Sequence, residues 1–374
     1  MKTIGILTLP LHNNFGGILQ SYALQSFLTK KGHNVILIDR QYDDNLLLNL
    51  KYAIKRLSDK TKFKSKKQKE LINANPTQFI HTYMQPKTAR ITSEKQLKQV
   101  IGVTDFDAVI VGSDQVWRLE YSDSIKYNLF LDFIKNPKTK KMSYAASFGV
   151  DNWKHPVDVT TKVKTLLKSF DEISVREDSG VMICENVFDV DAIQHVDPTM
   201  LLQKEDYITL VEKENEPKSP GDILVYMLDV TGDRQEVISA IEKELHGKAF
   251  MANKKSSNLD YDLKDAIYPT ITSWLKGFMD AKYVVVDSFH GCVFSILFNK
   301  PFVAYGNKER GLTRFTSMLK LFGLEGRLIL DKKELTKDLI HAPIDWPAVN
   351  TKLAALRSVS EKYLNNVNKD KKTR

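Results

Sequence analysis

Cysteine is nearly absent: Cys184 and Cys292 are the only two thiols in 374 residues, and neither lies in a paired metal-ligand spacing. That excludes a disulfide framework and a structural zinc site. The eight histidines are scattered, with no HExxH and no clustered carboxylate pattern, so no metal site is expected. Long apolar runs are missing too, since nothing reaches the roughly 18 uninterrupted residues of a membrane span. The opening MKTIGILTLPLHNNFGG is broken by polar residues and glycines before a signal-peptide core develops. It reads as a first buried strand, and the chain is expected in the cytoplasm.

What is present is ordinary soluble-protein material: 42% hydrophobic and 27% charged residues, in a length that suits two domains. Lysine and arginine (55) outnumber aspartate and glutamate (46), for a net charge of +9. Much of the excess is local, because Lys51 to Glu70 carries nine basic residues and two acidic ones. That stretch reads as a solvated helix or loop, or as a peripheral contact with an anionic membrane. Nucleic acid is not an expected partner, since no recognised nucleic-acid module or aromatic-interleaved basic sheet accompanies the run.

The order of elements is that of parallel α/β units. A strand over Lys2 to Leu9 is followed by a helix through Leu19, Tyr22, Ala23, Phe27 and Leu28, then by Gly32 as a C-cap and the strand NVILIDR. The polar segment after Asp39 hides any period until FDAVIVGSDQVW, where Phe106 to Val111 reads as a buried strand. KMSYAASFG repeats that design, and TTKVKTLLKSFDEISVREDSG adds a helix and a short strand. ENVFDVDAIQHVDPTMLL ends this half with a turn at Asp197 and Pro198. EKENEPKSPGD is the best linker, and strands and helices alternate again from DILVYMLD to FVAYG. The expected division is residues 1–211, a linker at 212–222, a second domain over 223–345, and a C-terminal helix with basic tail over 346–374 that packs back on the first domain.

Open parallel sheets bind ligands at the carboxyl ends of their strands, so the strand-end loops carry the candidate chemistry. VVVDSFHG places Ser288, His290 and Gly291 where a strand meets a helix, with amide donors suited to an anion and an imidazole able to move a proton. A helix cap or buttress is the rival role for His290, while Cys292 reads as a small buried hydrophobe. In HNNFGG, Asn14, Gly16 and Gly17 form either a plain turn or a ligand contact; the glycines do not complete a GxGxxG fingerprint. VGSDQVW offers Ser113 and Asp114 to orient hydroxyls and Trp117 as a ring platform, against an Asx turn and a packed tryptophan. Arg176 in ISVRED suits a phosphate or carboxylate, with a structural ion pair to its acidic neighbours as the rival.

NFGGILQSYALQSFLTKKGH, GSDQVW, SYAASFG, ISVREDSG, HVDPTMLL and VVVDSFHGCVFSILFNKPFVAYG, in this order, resemble the polysaccharide pyruvyl transferase family. The resemblance implies two Rossmann-like parallel-sheet domains facing a cleft, similar to the glycosyltransferase B architecture. It also implies transfer of the enolpyruvyl unit of phosphoenolpyruvate to a sugar of a surface or capsular glycan precursor, forming a ketal and releasing phosphate. Phosphoenolpyruvate is then the donor substrate, no separate cofactor is needed, and the acceptor is a glycan or lipid-linked oligosaccharide. By resemblance His290 matches the motif histidine with a catalytic role, and Asp114 and Arg176 match acidic and basic residues of the other domain. Some members carry arginine two residues before that histidine, where this chain has Ser288; Arg310 and Arg314 stand as reserve anion contacts. The competing functions are a nucleotide-sugar-dependent glycosyltransferase and a non-catalytic glycan-binding assembly protein.

Overall fold

The computed structural model describes residues 1–44, 65–227, 230, 232–253, 263–306, 312–369 and 371. The basic stretch from Lys51 therefore lies outside the described residues as far as position 64, and so does Arg310. Of the described residues, those within Met1–Pro198, Ser256–Tyr268 and Lys362–Arg374 form one compact unit. Those within Thr199–Lys255 and Pro269–Glu361 form a second.

The first unit is built on strands β1 (Thr3–Leu7), β2 (Asn34–Leu37), β3 (Ala108–Val111) and β4 (Lys140–Ser143), all parallel, in the order β2-β1-β3-β4. Parallel strands covered on both faces need side chains that are apolar in both directions, which TIGIL and AVIV largely supply. Bridges from Met142 to Glu172 and from Ala146 to Val175 carry the parallel arrangement on to β5 (Ser174–Val175), which pairs with β6 (Ile193–Gln194). Helix α1 (Phe15–Lys30) crosses from β1 to β2. It starts where Asn14 turns extended and its side chain accepts the Gly17 amide. Gly32, at φ 85°, makes the left-handed exit.

Three helices occupy the polar segment in which no period is legible: Lys66–Ile72, Ala74–Tyr83 and Glu94–Val103. Their buried side chains are Ile72, then Pro76 and Phe79, then Leu97. One or two core contacts per helix leave too sparse an apolar stripe to show in sequence.

The second unit has five parallel strands: β7 (Ile223–Tyr226), β8 (Ala249–Met251), β9 (Tyr283–Val286), β10 (Phe302–Tyr305) and β11 (Leu328–Ile329). Their order is β11-β10-β9-β7-β8. Helix α2 (Asp233–Leu245) links β7 to β8, α3 (Ile271–Asp280) leads into β9, and α4 (Phe289–Leu297) links β9 to β10. Every residue of α4 is buried, as expected of a helix apolar all round. Trp274 of α3 anchors this side of the core, with ring centroids 5.1 Å from Tyr226, 4.7 Å from Phe278 and 4.9 Å from Phe294. Among the described residues no helix is long and apolar enough to cross a membrane.

In both sheets the first strand sits between the second and the third. The connections that leave the first and the third strand run in opposite directions, and the carboxyl ends of β1 and β3, and of β7 and β9, flank a crevice. All four loops singled out in the sequence follow such strand ends or their neighbours.

The first unit also buries an aromatic cluster that includes a histidine. His195 stacks at 5.9 Å on Tyr144 and lies 4.6 Å from Tyr363, with its Nδ1 2.8 Å from Ser174 Oγ. Tyr363 in turn donates to the Ser143 carbonyl at 2.7 Å, tying residues near the C-terminus to β4. Burial lowers the His195 pKa from 6.5 to about 4. The unfolded chain therefore binds a proton near pH 6.5 that the folded one refuses until about pH 4. The resulting stabilisation is complete above pH 6.5 and is lost as pH falls through that window, on the order of 3 kcal/mol in all. Urea unfolding at pH 7.5 and pH 5 should show a larger loss in the parent protein than in His195→Gln; equal losses would refute this assignment.

Candidate functional site

In the first unit the crevice is lined by the loops after β1 and β3. Asp114 follows β3 with a left-handed backbone, φ 67°. Its carbonyl holds that turn by accepting the amides of Val116 at 2.8 Å and Ser147 at 3.0 Å. Its carboxylate accepts from Asn14 Nδ2 at 3.1 Å, and the Asn14 Oδ1 accepts the Gly17 amide at 3.2 Å. A Cβ on Gly17 would lie 3.1 Å from Asn14 Nδ2 and 3.3 Å from Asp114 Oδ2, tighter than ordinary contact, so glycine lets the two loops close on one another. The positive end of α1 thus already faces a carboxylate of the protein itself.

Beneath Asp114 lies a buried guanidinium with three carboxylates around it. Arg176 Nη1 is 2.9 Å from Asp197, its Nε is 3.1 Å from Glu177, and its Nη2 is 3.9 Å from Asp114. Ser113 donates to the same Asp197 oxygen at 3.1 Å, and Ser147 donates to Glu177 at 2.7 Å. Burial alone would depress the Arg176 pKa, but Glu177, Asp197 and Asp114 reverse this and hold it above its ordinary value. This geometry commits the guanidinium to the protein's own carboxylates, a different use from the donor-anion clamp expected of ISVRED.

Trp117 requires a correction. Instead of offering a ring platform it is fully buried, donates from Nε1 to the Leu129 carbonyl at 2.9 Å and stacks on Phe130 at 5.4 Å. A tryptophan that finds an internal acceptor gains more from core packing than from exposure. Gly16 is buried in the first turn of α1, and Ser113 is fully buried beneath the loop. Sequence reading missed Asp197, Glu177 and Ser147 as members of this network. HVDP held the signal, because an acid set between a buried valine and a proline at a strand end needs a partner.

In the second unit the crevice beside β9 is shaped by α4. Ser288 caps the helix in an extended conformation, its Oγ accepting the Gly291 amide at 3.1 Å. His290 sits in the first turn, 8% exposed, edge-on to Phe289 at 5.1 Å. The glycine that follows is required by packing: a Cβ on Gly291 would lie 2.7 Å from Val286 Cγ1 and 2.8 Å from Ser288 Oγ. Any larger residue would push the helix start, and the imidazole with it, off the strand end. Cys292 is fully buried and burial pushes its thiol pKa far up, so it is a packing residue. Arg314, half-buried, lies in the first turn of the helix Thr313–Phe322.

The structure therefore brings together Asn14, Gly17, Ser113, Asp114 and Arg176 in the first unit, and Ser288, His290 and Gly291 in the second. The family model described as polysaccharide pyruvyl transferase matches residues 14–309, a span that contains all of them. The chain belongs to the polysaccharide pyruvyl transferase family.

No curated protein matches the chain in sequence. Among solved structures, S. aureus MnaA with UDP has a TM-score of 0.54 and 14% identity, covering 98% of this chain and 96% of that one. A putative UDP-N-acetylglucosamine 2-epimerase from Listeria monocytogenes gives 0.54 and 11% over 98% and 96%. Arabidopsis thaliana UGT89C1 with UDP-L-rhamnose gives 0.54 and 10% over 98% of both chains. These likenesses establish the α/β fold with parallel sheets of the glycosyltransferase B kind.

They also correct the functional expectation drawn from the resemblance. These three structures are nucleotide-sugar proteins by name or by ligand, so phosphoenolpyruvate as donor and partner, ketal formation and the capsular pyruvyltransferase assignment are withdrawn. Family membership accounts for the motifs; a fold and its motifs do not by themselves set the donor.

The Arg176 network yields a stability prediction. Arg176→Met leaves Asp197, Glu177 and Asp114 without their common counter-charge and should cost about 3–5 kcal/mol. Urea unfolding monitored by circular dichroism measures it, and a loss under about 1 kcal/mol, the value of an exposed pair, would contradict the buried-cage description.

Proposed function

We propose that this member of the family is a sugar-nucleotide-dependent glycosyltransferase whose donor diphosphate is held at the start of α4. The observation that carries the reading is the placement of Ser288, His290 and Gly291 at the point where the second sheet reverses its strand order. Within α4 the Gly291 and Cys292 amides are bonded to Ser288, which fixes the first turn at the positive end of the helix, the end that favours phosphate. The likeness to structures holding UDP or UDP-L-rhamnose supports a nucleoside diphosphate as the group held.

In this reading an acceptor hydroxyl attacks the anomeric carbon, and the bond from that carbon to the diphosphate breaks with its electron pair leaving on the nucleotide. His290 donates a hydrogen bond to the departing phosphate oxygens, with Arg314 as a further cationic contact. The hydroxyl proton passes to solvent as the new bond forms, and Asp114, oriented by Asn14, belongs to the first unit's own strand-end loops. Gly16 and Gly17 keep the β1 loop close, and Ser113 and Arg176 position Asp114 from below. The cytoplasmic location read from the sequence remains part of this proposal.

Titration calorimetry with UDP, followed by an assay of UDP release from UDP-N-acetylglucosamine, tests the assignment. UDP should bind to the parent protein at least about tenfold more tightly than to His290→Ala, the loss of one charge-assisted contact. A folded protein that binds neither UDP nor GDP, or that binds UDP equally without His290, would defeat the proposal.

A further inference from the structure

The carboxyl ends of the first sheet carry the crevice; its amino ends form the opposite face, and charge on that face is divided. Backbone bonds tie the strands into a row there. The Asp107 amide donates to the Thr3 carbonyl at 2.9 Å, that of Lys140 to Asp107 at 2.9 Å, that of Asp171 to Lys141 at 2.8 Å and that of Ile193 to Ile173 at 3.1 Å. Around the start of β4 the row is basic. Lys135 and Lys138 lead into this strand, both exposed, and Lys369 and Lys371 join them because residues near the C-terminus dock alongside. Lys140 donates to the Asn366 carbonyl at 2.7 Å and Lys371 to that of Thr139 at 3.0 Å. Lys135, Lys138 and Lys369 form no ion pair among the described residues. Burial, then the charges of Lys135 and Lys371, depress the Lys141 pKa below its ordinary value, so these cations crowd one another.

Across β5 and β6 the sign reverses. A cavity of about 670 Å³ beside their amino ends is lined by five carboxylates, Asp171, Glu172, Glu185, Asp189 and Asp191, and by one cation, Lys168. Lys168 lies 2.8 Å from Asp189, and Lys371 lies 3.4 Å from Asp171 at the boundary between the two halves. Glu172, Glu185 and Asp191 form no ion pair among the described residues, although the net charge of the chain is +9. Each half also exposes an apolar side chain: Ile193, 53% exposed, lines the acidic cavity, and Val103, 82% exposed, ends the helix that leads into β3. A membrane or a nucleic acid would match the basic half and be repelled by the acidic one. A surface with both signs in reverse order matches both, and a twofold axis supplies it, because a second copy of this face sets each basic half against an acidic half. Burying Ile193 and Val103 adds the apolar contribution that screened surface pairs lack.

We propose that the amino-end face of the first sheet joins two copies of this chain in a twofold dimer, with Lys135, Lys138 and Lys369 of one protomer against Glu172, Glu185 and Asp191 of its partner. The crevice lies at the other end of the sheet, so the dimer is independent of the sugar-nucleotide reading. Sedimentation velocity on the full chain is the measurement. The parent protein should be a dimer at micromolar concentration in about 0.05 M salt, and its association should weaken as salt rises to about 0.5 M and screens the charges. Lys135→Glu with Lys138→Glu, and separately Glu185→Lys with Asp191→Lys, alter only exposed side chains. Each pair should weaken self-association at least about tenfold through like-charge repulsion. Mixed in equal amounts, the two variants should pair with one another, since one then presents mainly carboxylates on both halves and the other mainly lysines. A monomeric parent, variants that self-associate like the parent, or a mixture that stays monomeric would each overturn the proposal. So would a monomeric parent that sediments with phosphatidylglycerol vesicles, which would give the basic half to an anionic membrane.

Discussion

In a parallel sheet whose first strand lies between its second and third, the connections leaving the first and the third strand must diverge. Neither can cover the gap at the strand's carboxyl end, and the loops there have to carry their own polar groups. Both units of this protein obey that constraint. The apolar strands β1, β3, β7 and β9 fix where the backbone stops being buried sheet, and the residues just past each end inherit the task of facing a crevice. Asp114 and His290 owe their placement to this topology more than to any local preference of aspartate or histidine.

The cost of a polar crevice is met differently in the two units. In the first, a carboxylate at the strand end is steadied by a guanidinium below it, which in turn requires Asp197 and Glu177, so one strand-end carboxylate draws three further charges into the interior. Such a cage is a weak source of stability compared with apolar packing, yet once present it tolerates no missing member. The second unit imports little charge. There the crevice is made from a capped helix start, a glycine pressed against Val286 and one imidazole, all resting on an apolar helix.

The parallel strands were legible because both-face burial demands continuous runs of β-branched residues, and AVIV and YVVV contain little else. The helices α1, α2 and α3 were legible for the same kind of reason: each buries several side chains at helical spacing. The three short helices between Lys66 and Val103 were not, since one or two buried contacts make no period. In the site, the strand-end positions of Asn14, Asp114, Ser288 and His290 could be read from punctuation alone. The Arg176 cage could not, because Asp197 is 21 residues from its partner and only the fold brings them together. Trp117 was misplaced because a ring beside a polar loop looks the same in sequence whether it turns outward or inward.

Ser288 illustrates how one substitution can redistribute a function without abolishing it. An arginine at this position would set a mobile cation beside the helix start. It would also forfeit the cap, whose loss costs about 1 kcal/mol. With serine the Gly291 amide is satisfied internally and the first turn is fixed. Attraction for an anion then rests on oriented dipoles and the imidazole of His290, groups that need no reorganisation when charge develops on a leaving group. A long flexible cation would bind more strongly in the ground state but would have to be ordered first. Serine therefore gives this strand end a stiff, capped helix start with few charges.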